Sequence, residues 1–291
     1  MIIISMMKKR KTIIFGGSGF LGTYLYKNSL SDHFLAPIHK EVDLLDQEKV
    51  LKFIDKNEPS QIIYLAGVTK IEIAESNKDL ADMLNHKIPK IIAKYASKNG
   101  VPVLYTSTDA VFDGYKSKFL FSETDKPLPK SDYGKSKYLG ETAIMNSSNK
   151  NCVLRLITLF GENRKNFATI LIDRLKNNLE FAGMIDQTQN PLLVNIAAKG
   201  INFSINNEIK GIYHMGSLDY LTNYDLLIKI AKKNNLETDL IKKITFKDFY
   251  GDKANYRKRN SVLIAEKFNE ISNREILKNT DESIEIFTKS K

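Results

Sequence analysis

Tyr133-Gly-Lys-Ser-Lys137 sets a phenol and an ammonium four residues apart, and Ser107-Thr108, upstream, adds two hydroxyls. On a helix, residues four apart share a face, so Lys137 can lie near the Tyr133 phenol or near a ligand held against it. Tyrosine ordinarily titrates near pH 10 (~), so a phenol working near neutral pH needs a cation to stabilise its anion. Lys137 can supply that charge. With Thr108 or Ser107 donating a hydrogen bond to a carbonyl oxygen, Tyr133 can protonate that oxygen as hydride reaches the carbon. A tyrosine and lysine at this spacing also occur by chance as an exposed helix pair, so the neighbours must decide.

The first neighbour is Gly16-Gly-Ser-Gly-Phe-Leu-Gly22. It follows the apolar run Thr12–Phe15 and opens a helical pattern. In that setting glycines permit a tight turn and let backbone N–H groups approach a pyrophosphate at a helix N-terminus. The second clue lies about 20 residues on, where an acid commonly holds a free ribose 2′-hydroxyl and a base accommodates a 2′-phosphate. Here His39 and Lys40 stand in Pro37-Ile-His-Lys40, with Glu41 one residue further. This favours NADPH and leaves NADH open. Asp43 can meet the adenine edge or cap a helix.

Buried strands are expected at Thr12–Phe15, Phe34–Ala36, Gln61–Leu65, Val101–Tyr105 and Cys152–Leu156, all short apolar runs. Helices are expected at Phe20–Leu30, Gln47–Lys56, Lys78–Asn99 and Ser131–Asn146. Such alternation implies right-handed crossovers and a doubly wound parallel sheet, an α/β fold. Past about residue 160 the rhythm changes: Phe167–Asn177 and Tyr224–Lys233 look helical, while Lys243–Lys291 is polar and uneven. The chain therefore divides into a dinucleotide-binding domain over 1–160 and a smaller ligand-covering lobe over 161–291. Some segments, Leu193–Ile205 among them, are expected to return to the first domain.

The 291 residues are 42% hydrophobic and 27% charged, ordinary for a globular protein, and no run approaches the roughly 20 apolar residues of a membrane span. The basic cluster Lys8–Lys11 follows the apolar start, the reverse of a secretory signal, so a cytoplasmic location is expected. Cys152, the single cysteine, sits in an apolar run and reads as a buried thiol. The formal net charge of +10 is spread along the chain, which argues against nucleic acid and suits small anionic ligands. His33, His39, His86 and His214 are not spaced as metal ligands, so no metal is expected. Arg155 can meet a ligand phosphate or form a buried ion pair; Phe112 reads as core.

Together, Gly16–Gly22, Ala66-Gly-Val-Thr-Lys-Ile-Glu-Ile-Ala-Glu-Ser76, Ser107-Thr-Asp-Ala-Val-Phe-Asp-Gly114, Ser122–Pro129, Tyr133–Lys137, Asp186-Gln187, Gly211-Ile-Tyr-His214 and, weakly, Arg257–Ser261 are similar to the extended short-chain dehydrogenases. More narrowly, they resemble the dTDP-4-dehydrorhamnose reductase branch. The resemblance implies a Rossmann-type doubly wound sheet with a smaller C-terminal substrate-binding lobe. It also implies hydride transfer from NAD(P)H to the C4 keto group of a nucleotide-linked 6-deoxyhexose, in the synthesis of surface polysaccharide precursors. Thr108, Tyr133 and Lys137 take the catalytic positions. Cofactor contacts fall at Gly16, Ser18, Gly19, Phe20, Leu21 and Gly22, at His39, Lys40, Asp43 and Leu44, at Leu65, Ala66 and Gly67, and at Tyr133 and Lys137. Substrate contacts fall at Val68, Asp109, Ala110, Thr158, Asp186 and Gln187. Two positions depart from the branch: Ala110 stands where a tyrosine is common, and Thr158 or its neighbours replace an aromatic residue near the sugar. A homodimer is open. The branch also resembles the methionine adenosyltransferase regulatory subunit, so a non-catalytic, cofactor-binding regulator is the alternative.

Overall fold

In the computed structural model, residues 11–27 and 34–290 are described. The first ten residues, His33 and the end of the helix expected over Phe20–Leu30 lie outside them. The central sheet comprises β1 (Thr12–Phe15), β2 (Phe34–Leu35), β3 (Gln61–Tyr64), β4 (Val103–Thr108), β5 (Cys152–Leu156) and β6 (Gly211–Met215). All six run parallel, in the order β6-β5-β4-β3-β1-β2.

Adjacent residues on these strands face opposite sides of the sheet, and both sides are covered. Ile14, Ile63, Leu104 and Leu154 enter one core; Ile13, Ile62, Val103 and Val153 enter the other. That is why the strands read as continuous apolar runs instead of alternating ones. One core takes Leu21 and Leu25 of α1 (Phe20–Lys27) and the apolar face of α5 (Val194–Asn206). The other takes Val50 and Ile54 of α2 (Gln47–Asn57), Ile92 of α3 (Ile88–Lys98) and Ile144 of α4 (Asp132–Ser147).

Four expectations need adjustment. β4 begins two residues later than expected and runs to Thr108, because Thr106, Ser107 and Thr108 pair with Leu154, Arg155 and Leu156 of β5. The helix expected over Lys78–Asn99 is broken by a π-turn at Met83–Lys87. Asp43 does not cap α2: its Oδ1 accepts from Leu45 N at 3.0 Å, while Asp46 accepts from Lys49 N at 3.0 Å and is the cap. The polar stretch 243–290 is ordered in short pieces, among them Phe246–Tyr250, Glu266–Ile271 and Thr280–Lys289, pinned by the buried Phe246, Phe268 and Phe287. Anchors so widely spaced leave no sustained period to read. No helix among the described residues is long and apolar enough to cross a membrane.

Candidate functional site

The loops after β1, β3, β4 and β5 all emerge at the C-terminal edge of the sheet, where open α/β sheets hold their ligands. After β1, Gly16 has φ +90°, and a Cβ there would stand 2.6 Å from Ala66 N in the loop after β3. A Cβ on Gly22 would stand 2.5 Å from both Gly16 O and Gly17 O. The glycines thus fold the loop tightly onto α1. Its first intrahelical bond is Thr23 N to Gly19 O at 3.0 Å, so the N–H groups of Phe20, Leu21 and Gly22 precede the ladder at the positive end of the helix dipole. This cradle fits a pyrophosphate.

At the end of β2, His39 and Lys40 are exposed, and His39 Nδ1 lies 3.8 Å from Asp43 Oδ1. Glu41 is turned back on its own loop, where Oε2 accepts from Ile38 N at 2.9 Å. Lys40 is therefore the cation at this end with no carboxylate partner among the described residues. Lys40→Glu is expected to narrow or reverse a preference for NADPH over NADH. Parallel titrations of both cofactors test this, and tighter NADH binding by the unsubstituted protein contradicts it.

The hydroxyl and lysine set comes together where β4 meets α4. Ser131 caps α4, its Oγ accepting from Gly134 N at 3.0 Å, and this sets Tyr133 in the first turn. Burial pushes the pKa of the Tyr133 phenol up to about 12, opposed by the neighbouring Thr108 hydroxyl. Thr108 Oγ1 in turn accepts from Ala110 N and donates to Asp109 Oδ1, each at 3.2 Å. Burial raises the Asp109 carboxyl, opposed by the Ser261 and Thr108 hydroxyls. Lys137, one turn beyond Tyr133, is buried and donates to Thr106 O at 2.6 Å, with Nζ 4.1 Å from the centre of the Tyr105 ring. Desolvation pushes its pKa down to about 7, opposed by Glu141 one turn further on.

Sequence reasoning missed two supports of this set. The π-turn frees carbonyls that the tyrosines under Lys137 take up: Tyr64 donates to Leu84 O and Tyr105 to Asn85 O, both at 2.7 Å. The buried Asn85 side chain donates to Val68 O at 3.1 Å and Ser136 Oγ at 3.0 Å, tying the loop after β3 to α4. A Cβ on Gly67 would collide with Asn85 Oδ1, which accepts no hydrogen bond. The only sequence signal for Asn85 is a polar residue within a helical apolar pattern. The second support is Glu141, which grips Arg155 through Oε1 to Nε at 2.9 Å and Oε2 to Nη2 at 2.8 Å. Of the two readings of Arg155, the structure carries the ion pair. His214 completes the group, 3.3 Å from Arg155 Nη1, and burial and the guanidinium push its pKa down to about 3.

On the substrate side, Val68 and Ala110 are buried and Thr158 is exposed at the end of β5. Asp186 is occupied: Oδ1 accepts from Phe246 N at 2.7 Å and Oδ2 lies 3.4 Å from Arg259 Nη1. The Gln187 carbonyl accepts from Asn223 N at 2.8 Å. A strap over residues 257–263 crosses this region: Arg257 pairs with Glu72, Ser261 N donates to Thr188 O, and Val262–Leu263 pairs with Leu120–Phe121. Phe112 is core, stacked on Phe121 at 4.4 Å, and the buried Cys152 thiol is pushed up to about 12.

The sequence pattern of the RmlD substrate binding domain matches residues 10–288. The chain belongs to this family. Among relatives, the dTDP-4-dehydrorhamnose reductase of Aggregatibacter actinomycetemcomitans is 32% identical over 257 residues, 82% of this chain and 86% of that protein. The methionine adenosyltransferase 2 subunit beta of Rattus norvegicus is 30% identical over 254 residues, 81% of this chain and 75% of that protein. In structure, the chain is similar to the dTDP-4-dehydrorhamnose reductase of Bacillus anthracis in complex with NADP. The TM-score is 0.87 at 26% identity, over 97% of this chain and 100% of the other. Membership of the RmlD substrate binding domain family bears out the kinship expected from the motifs and the Rossmann-type sheet.

Proposed function

We propose that this chain reduces the C4 keto group of a nucleotide-linked 6-deoxyhexose with NADPH, NADH being the second choice, in the manner of a dTDP-4-dehydrorhamnose reductase. The observation that carries the reading is Thr108 at the end of β4 with Tyr133 and the buried Lys137 one turn apart on α4, at the same edge of the sheet as the glycine cradle. The cradle fits a dinucleotide, and Lys40 supplies a cation suited to a 2′-phosphate. When bound, the cofactor supplies hydride to the carbonyl carbon. Thr108 turns its one O–H proton from Asp109 to the carbonyl oxygen, and Tyr133 gives its proton to that oxygen, completing the alcohol. The role this leaves to the Lys137 ammonium, one turn along α4, is to stabilise the phenolate left behind, since an opposite charge nearby favours the charged form. Asp109 and Thr158 flank the sugar side, with Ala110 and Val68 as its apolar wall. A homodimer and a cytoplasmic location belong to the same proposal.

Because Lys137 must be charged and its folded pKa is depressed to about 7, the sign of the pH dependence follows. The working ammonium is present below that value and lost as pH rises through it, although an exposed lysine would keep its charge to about pH 10.4. kcat/KM, which reports the free protein, is expected to fall about tenfold per pH unit above pH 7. A profile flat from pH 6 to 9 contradicts this role for Lys137.

A second reading, a cofactor-binding regulator, is favoured by the similarity to the methionine adenosyltransferase 2 subunit beta. NADPH oxidation with a panel of 4-keto nucleotide sugars separates the two. Turnover of one of them supports the reductase. Binding of NADPH without turnover, together with a change in the kinetics of an added methionine adenosyltransferase, supports the regulator.

A further inference from the structure

The loop joining Leu159–Phe160 to the helix Phe167–Lys176 is fastened across the start of α1. The Tyr24 phenol oxygen, on α1, accepts from Glu162 N and from Asn163 Nδ2, both at 3.1 Å. Asn166 Nδ2 donates to Gly161 O at 2.6 Å and to Arg164 O at 2.8 Å, which holds the loop's own turn. These bonds present Arg164 to the glycine loop, where Nη2 donates to Ser18 O at 2.9 Å.

This is an unfavourable place for a cation. The first turn of α1 is the positive end of a helix dipole, and a guanidinium there is repelled unless an anion lies between them. Arg164 forms no ion pair with any carboxylate among the described residues, and the bond to Ser18 O uses one of its five donors. An arginine held without an acid beside a glycine cradle is matched by a diphosphate, whose oxygens accept from the helix N–H groups on one side and from the planar guanidinium on the other.

We propose that Arg164 is a binding residue for the pyrophosphate of the dinucleotide, gripping it from the second lobe opposite the N-terminus of α1; this rests on the reading of the glycine loop as a cofactor cradle. Its ligand is the diphosphate shared by NADPH, NADH and ADP-ribose, distinct from the 2′-phosphate expected at Lys40. The loop thereby couples the second lobe to cofactor binding.

The test is equilibrium titration of the full chain with NADPH, NADH and ADP-ribose, for the unsubstituted protein, Arg164→Gln and Arg164→Lys. Gln can keep a hydrogen bond to Ser18 O without the charge, so it separates bracing of the loop from attraction of the anion. Arg164→Gln is expected to weaken all three ligands by about tenfold, the scale of one charge-assisted hydrogen bond. Arg164→Lys is expected to recover part of that loss, since it keeps the charge and loses the fork. Equal affinities in Arg164→Gln and the unsubstituted protein overturn the assignment, as does weakening confined to NADPH. An unsubstituted protein that binds none of the three overturns the cradle reading itself, and the assignment with it.

Discussion

Tyr133→Phe is expected to lower kcat for the reduction by about two to four orders of magnitude, the span of a lost general acid. The substitution removes one oxygen and keeps the ring that packs against Val68, Ala74 and Ala81, so the fold and the glycine cradle stay intact. kcat and kcat/KM should fall together, because the proton is delivered only in the transition state. Thr108→Val should also lower kcat, by losing the hydroxyl that shares the carbonyl oxygen. A variant that turns over at the original rate removes Tyr133 from the chemistry.

Glu141→Ala is expected to destabilise the protein by about 3–5 kcal/mol, because it strands the buried Arg155 guanidinium without its carboxylate. Both partners are only 2% exposed, so neither water nor salt can replace the lost pair. The remaining contacts of Arg155 are poor substitutes: His214 is held neutral, and the Phe112 ring centre lies 5.1 Å from the guanidinium carbon. Denaturant unfolding of both proteins measures the difference. A double variant, Glu141→Leu with Arg155→Met, should recover much of the loss, since apolar residues of similar volume leave no buried charge. An unchanged unfolding midpoint in Glu141→Ala contradicts the pair's structural role.

The parts of this molecule that were legible in the sequence are those governed by short-range sterics and simple periodicity. Gly16 to Gly22 could be read because only glycine tolerates the φ of Gly16 and the contact of Gly22 with the loop carbonyls. The strands Thr12–Phe15 and Cys152–Leu156 could be read because burial on both faces makes all their residues but Thr12 and Arg155 apolar. Tyr133 and Lys137 could be read because helix geometry alone puts them on one face.

What was hidden depends on partners far along the chain. Asn85 acts through a π-turn, Val68 and Ser136, none of which has a local signature. Arg155 left two readings open until Glu141, on α4, could be seen against β5. Asp43 and Asp46 lie three residues apart, and only backbone geometry selects Asp46 as the cap. Arg164 has no local signature either; only the fold brings the loop carrying it against Ser18. β6 was hidden for a related reason: Gly211-Ile-Tyr-His-Met215 is too mixed to read as a buried strand, yet β5 pairs with it along its whole length.

The central claim is hydride delivery to a sugar ketone coupled to protonation by Tyr133. It is tested most directly by incubating the protein with a dTDP-4-keto-6-deoxyhexose and NADPH deuterated at the transferable position of the nicotinamide, then locating the deuterium by NMR. The predicted result is a C4 alcohol bearing deuterium at C4, formed by the unsubstituted protein and at a rate lower by orders of magnitude by Tyr133→Phe. Tight NADPH binding with all deuterium retained on the cofactor would contradict it.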